Sequence, residues 1–218
     1  AFKTGLIILI NNVPVGSVTW DKSEILKQQT SWVGLKAPGK RQEPKVFVSH
    51  WWGDEVLDFV SCVERHAEAH GWELQSTYYW TCAYANEQHN LDAELTSDPT
   101  GTSFFKTLMM PSCERVLQIL NNSHEDADSG VRTPAAVLFS RIWCDFEAFC
   151  TMESSRTRRT RLFMDVATKA SGSEAVILTE GLSDSEKRAE NGWSTKLLRE
   201  KDFPQEFFQI GLEAKLQG

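Results

Sequence analysis

The residue best placed to carry chemistry is Glu147, in the segment SRIWCDFE running from Ser140 to Glu147. The apolar residues Ile142, Trp143, Phe146, Phe149 and Cys150 recur there at helical spacing, so the segment 140–153 is expected to be a helix. Trp143 and Glu147 then share a face with Ser140 and Cys150. A carboxylate beside an aromatic ring in a partly apolar cleft attracts a developing cation more strongly than one in water. The plainer alternative is that Glu147 rims the helix and Trp143 is core. Cys144 could be a nucleophile, but no base for it is identifiable, and buried thiols are usually inert.

A second group of candidates lies in VFVSHWWGD, Val46 to Asp54. Ser49 could donate to a phosphate or a ribose, or simply bond the local backbone. Trp51 and Trp52 follow an apolar run into a loop where a flat base could stack, although tryptophan more often packs a core or an interface. Adjacent strand side chains point to opposite faces, so one of the pair could meet a ligand. His66 and His70 have the spacing of a metal-ligand pair on a helix, but HAEAH lacks a Glu directly after its first His and no third ligand is evident, so no metal is expected. The run RTRRTR at 156–161 could bind a phosphate, a nucleic-acid backbone or an acidic partner, with a solvated edge as the commoner meaning.

The elements that must position these residues alternate. KVFVSHWW, Lys45 to Trp52, reads as a strand, and from Gly53 a helical pattern through Val56, Phe59, Val60, Val63 and Ala67 runs to a stop at Gly71. A second strand is expected over Thr77 to Tyr84, a long polar loop over 85–101, a short helix over Ser103 to Met110 and a third strand over Arg115 to Leu120. The stretch 121–130 reads as a solvated loop. After the Glu147 helix come strand candidates at Arg161 to Ala167 and Ala175 to Leu178, helix signals over Ser183 to Leu198, and a last amphipathic segment from Gln205 to Leu216. At the other end, residues 5–20 suggest a β-hairpin turning at Asn11-Asn12, and 34–44 have linker chemistry. Residues 1–44 are therefore expected to be an N-terminal extension packed on a main domain spanning 45–218. Alternating strands and helices predict an open, mainly parallel α/β sheet covered on both faces, with ligands at the carboxyl ends of the strands.

Composition narrows the classes of partner. A formal charge of −7 and a pI near 5.3 argue against a surface devoted to nucleic acid or anionic lipid. The five cysteines show no CxxC and are an odd number, as reduced thiols in a cytoplasmic protein would be. Leu6 to Ile10 falls far short of the roughly 20 residues of a spanning helix, so no membrane insertion is expected. The chain opens at Ala1 rather than Met, which suits a piece cut from a longer protein with regulatory flanks.

Two segments together resemble the TIR domain. VFVSHWWGD is similar to the first strand and loop of plant TIR domains: a hydrophobic strand, a Ser, an aromatic or basic pair, a Gly and an acidic residue. SRIWCDFE resembles that family's Ser-x-Trp-Cys-x-x-Glu segment. The likeness covers roughly residues 45–180. It departs from the family at His50-Trp51-Trp52, which displaces Gly53, at the extra residue between Ser140 and Trp143, and in the polar insert at 121–135. The resemblance implies a flavodoxin-like sheet and cleavage of the nicotinamide–ribose bond of NAD(P) as substrate, with no other cofactor. Glu147 would be the catalytic residue. Ser49, Trp51, Trp52, Asp54, Tyr84, Ser140 and Trp143 would contact the nucleotide. Nicotinamide in NAD is already a cationic leaving group, so one carboxylate that stabilises an oxocarbenium-like centre could suffice. The resemblance also implies self-association through TIR-type contacts. The alternative it leaves open is a non-enzymatic signalling and assembly module.

Overall fold

A computed structural model describes residues 42–87, 98–125, 130–169 and 174–180, with isolated positions at 31, 33–34, 188, 190–191 and 194. The expected hairpin over 5–20 lies outside the described residues, as do the expected C-terminal helical segments apart from the isolated positions Arg188, Glu190, Asn191 and Ser194. Strand β1 (Val46–His50) leads to helix α1 (Val56–Ala69), then β2 (Tyr79–Thr81) and the short helix α2 (Cys82–Ala85). After a 3₁₀ turn at Pro99–Gly101 come α3 (Ser103–Leu108) and β3 (Arg115–Leu120). The two-residue strands β4 (His124–Glu125) and β5 (Arg132–Thr133), a second 3₁₀ turn at Val137–Ser140, and helix α4 (Ile142–Thr157) follow. Strands β6 (Phe163–Thr168) and β7 (Val176–Ile177) complete the order.

Five strands form one mixed, mostly parallel sheet in the order β2-β1-β3-β6-β7, with only β7 antiparallel to its neighbour. This α/β architecture is compatible with a flavodoxin-like fold, whose chain reverses direction across the sheet between its first and third strands. The strands alternate in what they face. Val46, Val48, Leu117, Ile119, Ala167 and Ile177 pack under Phe59, Val60 and Val63 of α1. Phe47 and Val116 face the other way, against Phe104 and Leu108 of α3 and Cys150 of α4. Because the central strands are buried on both sides, their sequences are near-continuous apolar runs. Polar interruptions such as Ser49 and Gln118 therefore stand out.

Helix α1 ends where the sequence says it should. Gly71 adopts φ +64 and the amide of Trp72 reaches back to the Ala67 carbonyl, a closure that suits a residue without Cβ. Three elements differ from their sequence readings. The strand expected through Tyr84 stops at Thr81, and TCAY is β-prone by composition but winds into α2 once past the sheet edge. The expected strand through Trp52 ends at His50, leaving both tryptophans in a turn. The polar stretch 121–130 is partly ordered by the β4–β5 pairing, with residues 126–129 outside the described set.

The aim of α4 is fixed by Asn121, directly after β3. Its buried amide donates to the Pro134 and Asn122 carbonyls at 2.9 and 3.1 Å and accepts from the Val137 amide at 2.9 Å. Ala136 beside it is held left-handed at φ 51. Asn121→Ala orphans a buried amide and a carbonyl, and is expected to destabilise the fold by about 2–4 kcal/mol in denaturant unfolding. A loss under roughly 0.5 kcal/mol would show that other contacts aim α4.

Candidate functional site

Ser49 is the fourth residue of β1 and, like Phe47, points to the α3/α4 layer. Gln118 is its register partner on β3. Helix α4 packs against β1 and brings Glu147 to the same place. Glu147 is 3 % exposed, Ser49 and Gln118 each 2 %. Ser49 Oγ, Gln118 Nε2 and Glu147 Oε2 are all buried with no hydrogen-bond partner, as are His50 Nδ1 and Asp145 Oδ2. Buried polar atoms are nearly always paired, because an orphan forfeits its hydration without compensation. The carboxyl end of β1 thus collects several buried polar atoms without hydrogen-bond partners.

Burial pushes the Glu147 carboxyl up to about 8, against smaller opposing pulls from the Ser49 hydroxyl and the Arg141 guanidinium. It is therefore mainly a neutral acid at pH 7, not the standing carboxylate expected from the sequence. The neighbouring thiols are inert for the same reason. Cys144 and Cys82 are both raised to about 12, by desolvation first and then by Glu147, which keeps both thiols protonated and argues against the nucleophile role considered for Cys144. All five cysteines are buried, and none is in a disulfide. His50 sits on the opposite face of β1, its ring 4.7 Å from that of Phe59, and burial followed by the Arg141 charge lowers it to about 4. Arg141, exposed at the start of α4, therefore acts on both His50 and Glu147.

The expected aromatic wall is only partly assembled. Trp52 is 41 % exposed and its indole N–H donates to Cys82 Sγ at 3.1 Å, which places it over the Glu147 neighbourhood. The Trp51 ring lies on Gly53, where an added Cβ would meet Cζ2 at 2.2 Å. Trp143, by contrast, stacks on Phe104 with centroids 5.6 Å apart, and Tyr84 packs against the α1-side core. Ser140 does not share the face of Glu147. It belongs to the preceding 3₁₀ turn, is exposed, and donates to the Val137 carbonyl at 2.7 Å, because the helix begins at Ile142. Asp54 is turned toward α1, and partial burial plus the nearby Asp58 charge raise it to about 7.

Sequence reasoning passed over His50, Gln118 and Arg141. A glutamine inside the buried run RVLQIL is a signal that could have been read. The arginine run resolves into structural roles: Arg158 donates to the Met110 and Cys113 carbonyls at 2.7 and 2.8 Å, and Arg156 pairs with Glu153 at 3.0 Å. At the other end of the sheet, His66 and His70 do acquire a third group, Asp165 of β6.

No protein-family model matches the chain, and comparison with curated proteins and with solved structures returns no match. Among the described residues no helix is long and apolar enough to cross a membrane.

A group whose folded pKa is raised contributes stability that is full below its unfolded pKa and is lost as pH rises through the folded value. For Glu147 that window runs from 4.5 to about 8. Glu147→Gln is therefore expected to match the parent near pH 4.5 and exceed its stability by roughly 3 kcal/mol at pH 7, measured by urea unfolding across pH. A difference that stays flat with pH would contradict the buried neutral acid.

Proposed function

We propose that the chain is a TIR-like domain that cleaves the nicotinamide–ribose bond of NAD(P), with Glu147 as the catalytic residue. The observation that carries this reading is the desolvated carboxyl of Glu147, whose Oε2 has no hydrogen-bond partner, beside the buried Ser49 hydroxyl at the carboxyl end of β1. The sheet order supports it, since ligands of open α/β sheets gather at such strand ends. The two segments that resemble TIR domains, SHWWGD and WCDFE, meet there through Ser49, Trp52, Cys82 and Glu147.

The chemistry suits a buried acid. A pyridinium-bearing ribose placed beside Glu147 favours the ionised carboxylate, so the carboxyl proton passes to solvent water on binding and the carboxylate faces the ribose as positive charge moves onto it and neutral nicotinamide leaves. Ser49 and Gln118 are the donors and acceptors available to ribose hydroxyls. Arg141 at the rim suits a diphosphate. Since Ser49 and Glu147 are nearly sealed, the Trp52 turn must move aside for substrate to enter.

A second reading, assembly without catalysis, is favoured by one feature. Ile142, Phe149 and Met152 of α4 are 50, 57 and 63 % exposed, an apolar surface suited to contact between copies.

Concentrated protein incubated with NAD is expected to release nicotinamide, and Glu147→Ala should lower that rate at least about a hundredfold while keeping the fold. In the free enzyme kcat/KM should rise with pH through about 8, the ionisation of Glu147. Undiminished turnover in the variant would remove this mechanism, and a rate that falls across that range would make Glu147 a proton donor instead.

A further inference from the structure

The α1 face of the sheet, opposite the layer that holds Glu147, carries toward the amino ends of its strands a cluster that the proposed reaction does not use. His66 is fully buried in α1, His70 is its C-cap, and Asp165 lies on β6 between them and the sheet. His66 Nε2 is 3.0 Å and His70 Nε2 3.1 Å from the same Asp165 Oδ2, and the three atoms lie within 4.8 Å of one another. Around a tetrahedral ion with bonds near 2.0–2.1 Å, donor atoms stand about 3.3 Å apart. The two His–Asp separations need open by only a few tenths of an ångström to admit one.

Each of the three groups is also braced from behind. His66 Nδ1 meets the Tyr79 hydroxyl at 2.9 Å, His70 stacks on Trp72 with centroids 4.6 Å apart, and Asp165 Oδ1 accepts from Thr179 Oγ1 at 3.2 Å. Such outer contacts fix the tautomer and orientation that ligation needs. Meanwhile Arg115 Nη1 also reaches Oδ2, at 2.9 Å, giving that oxygen three donors. A carboxylate oxygen has about two lone-pair sites, so Oδ2 is overcommitted. If the histidines bind an ion through Nε2, neither donates to Oδ2 any longer and the crowding is relieved. The Arg115 side chain is 23 % exposed and can leave toward solvent.

We propose that His66 Nε2, His70 Nε2 and Asp165 Oδ2 form a site for a borderline transition dication of the zinc class, which competes with Arg115 for Asp165. Two imidazoles and one carboxylate are the donor set such ions prefer over magnesium or calcium, and a water completes four-coordination. A bound ion ties α1 to the sheet through β6. The site is independent of the nicotinamide chemistry at the other edge.

The test is titration of the chelator-treated full chain with zinc sulfate, by calorimetry and thermal unfolding, with magnesium chloride as control. One equivalent of zinc should bind and raise Tm, and His70→Ala, at a partly exposed C-cap position and expected to fold, should abolish both effects. Arg115→Gln removes the competing cation and should tighten binding by at least roughly tenfold. Cobalt in place of zinc should show four-coordinate visible bands without thiolate charge transfer. No binding by either the parent or Arg115→Gln, or binding that survives His70→Ala, overturns the proposal.

Discussion

A carboxylic acid taken out of water without a partner is the constraint on which the rest of this molecule turns. Glu147 sits where β1 ends, on a helix aimed by Asn121, and desolvation holds its proton in place at neutral pH. A structural role would favour an ion pair or a hydrophobic residue of similar volume, since either avoids an orphaned oxygen. Keeping the acid and leaving Ser49 Oγ, Gln118 Nε2 and Glu147 Oε2 unpartnered around it is costly, and function is where proteins accept such costs.

The two edges of the sheet handle charge in opposite ways. At the carboxyl edge the acid is neutral because burial outweighs the opposing pulls of the Ser49 hydroxyl and the exposed Arg141 charge. At the amino edge burial alone would raise Asp165, but the His66 hydrogen bond and the Arg115 charge hold its carboxyl well below the usual carboxylate range. His66 is lowered in turn, mainly by burial, and so presents a neutral imidazole. A carboxyl group is thus a poised acid at one end and a fixed anion at the other, and its burial and neighbours decide which.

Much of this was visible in the residues. The apolar run of β1, the spacing of Val56, Phe59, Val60 and Val63, and the Gly71 stop fall where periodicity places them. The segments around Ser49 and Glu147 converge as the spacing of elements suggested. What periodicity could not reach was set by long-range contacts. Ser140 left the Glu147 face because Asn121, far back in the chain, holds a 3₁₀ turn ahead of α4. Tyr84 and Trp143 joined different layers because packing sends one to α1 and the other to Phe104. Asp165 completed the histidine pair across a sheet register that no local spacing encodes.

The central claim concerns the protonation state of one side chain, and it can be read directly. A carbon-13 NMR titration of the Glu147 carboxyl, assigned by comparison with Glu147→Gln, should give a midpoint near 8 in the free protein. Added NAD should move that midpoint toward lower pH. A midpoint near the ordinary 4.5, unmoved by the dinucleotide, would contradict the account.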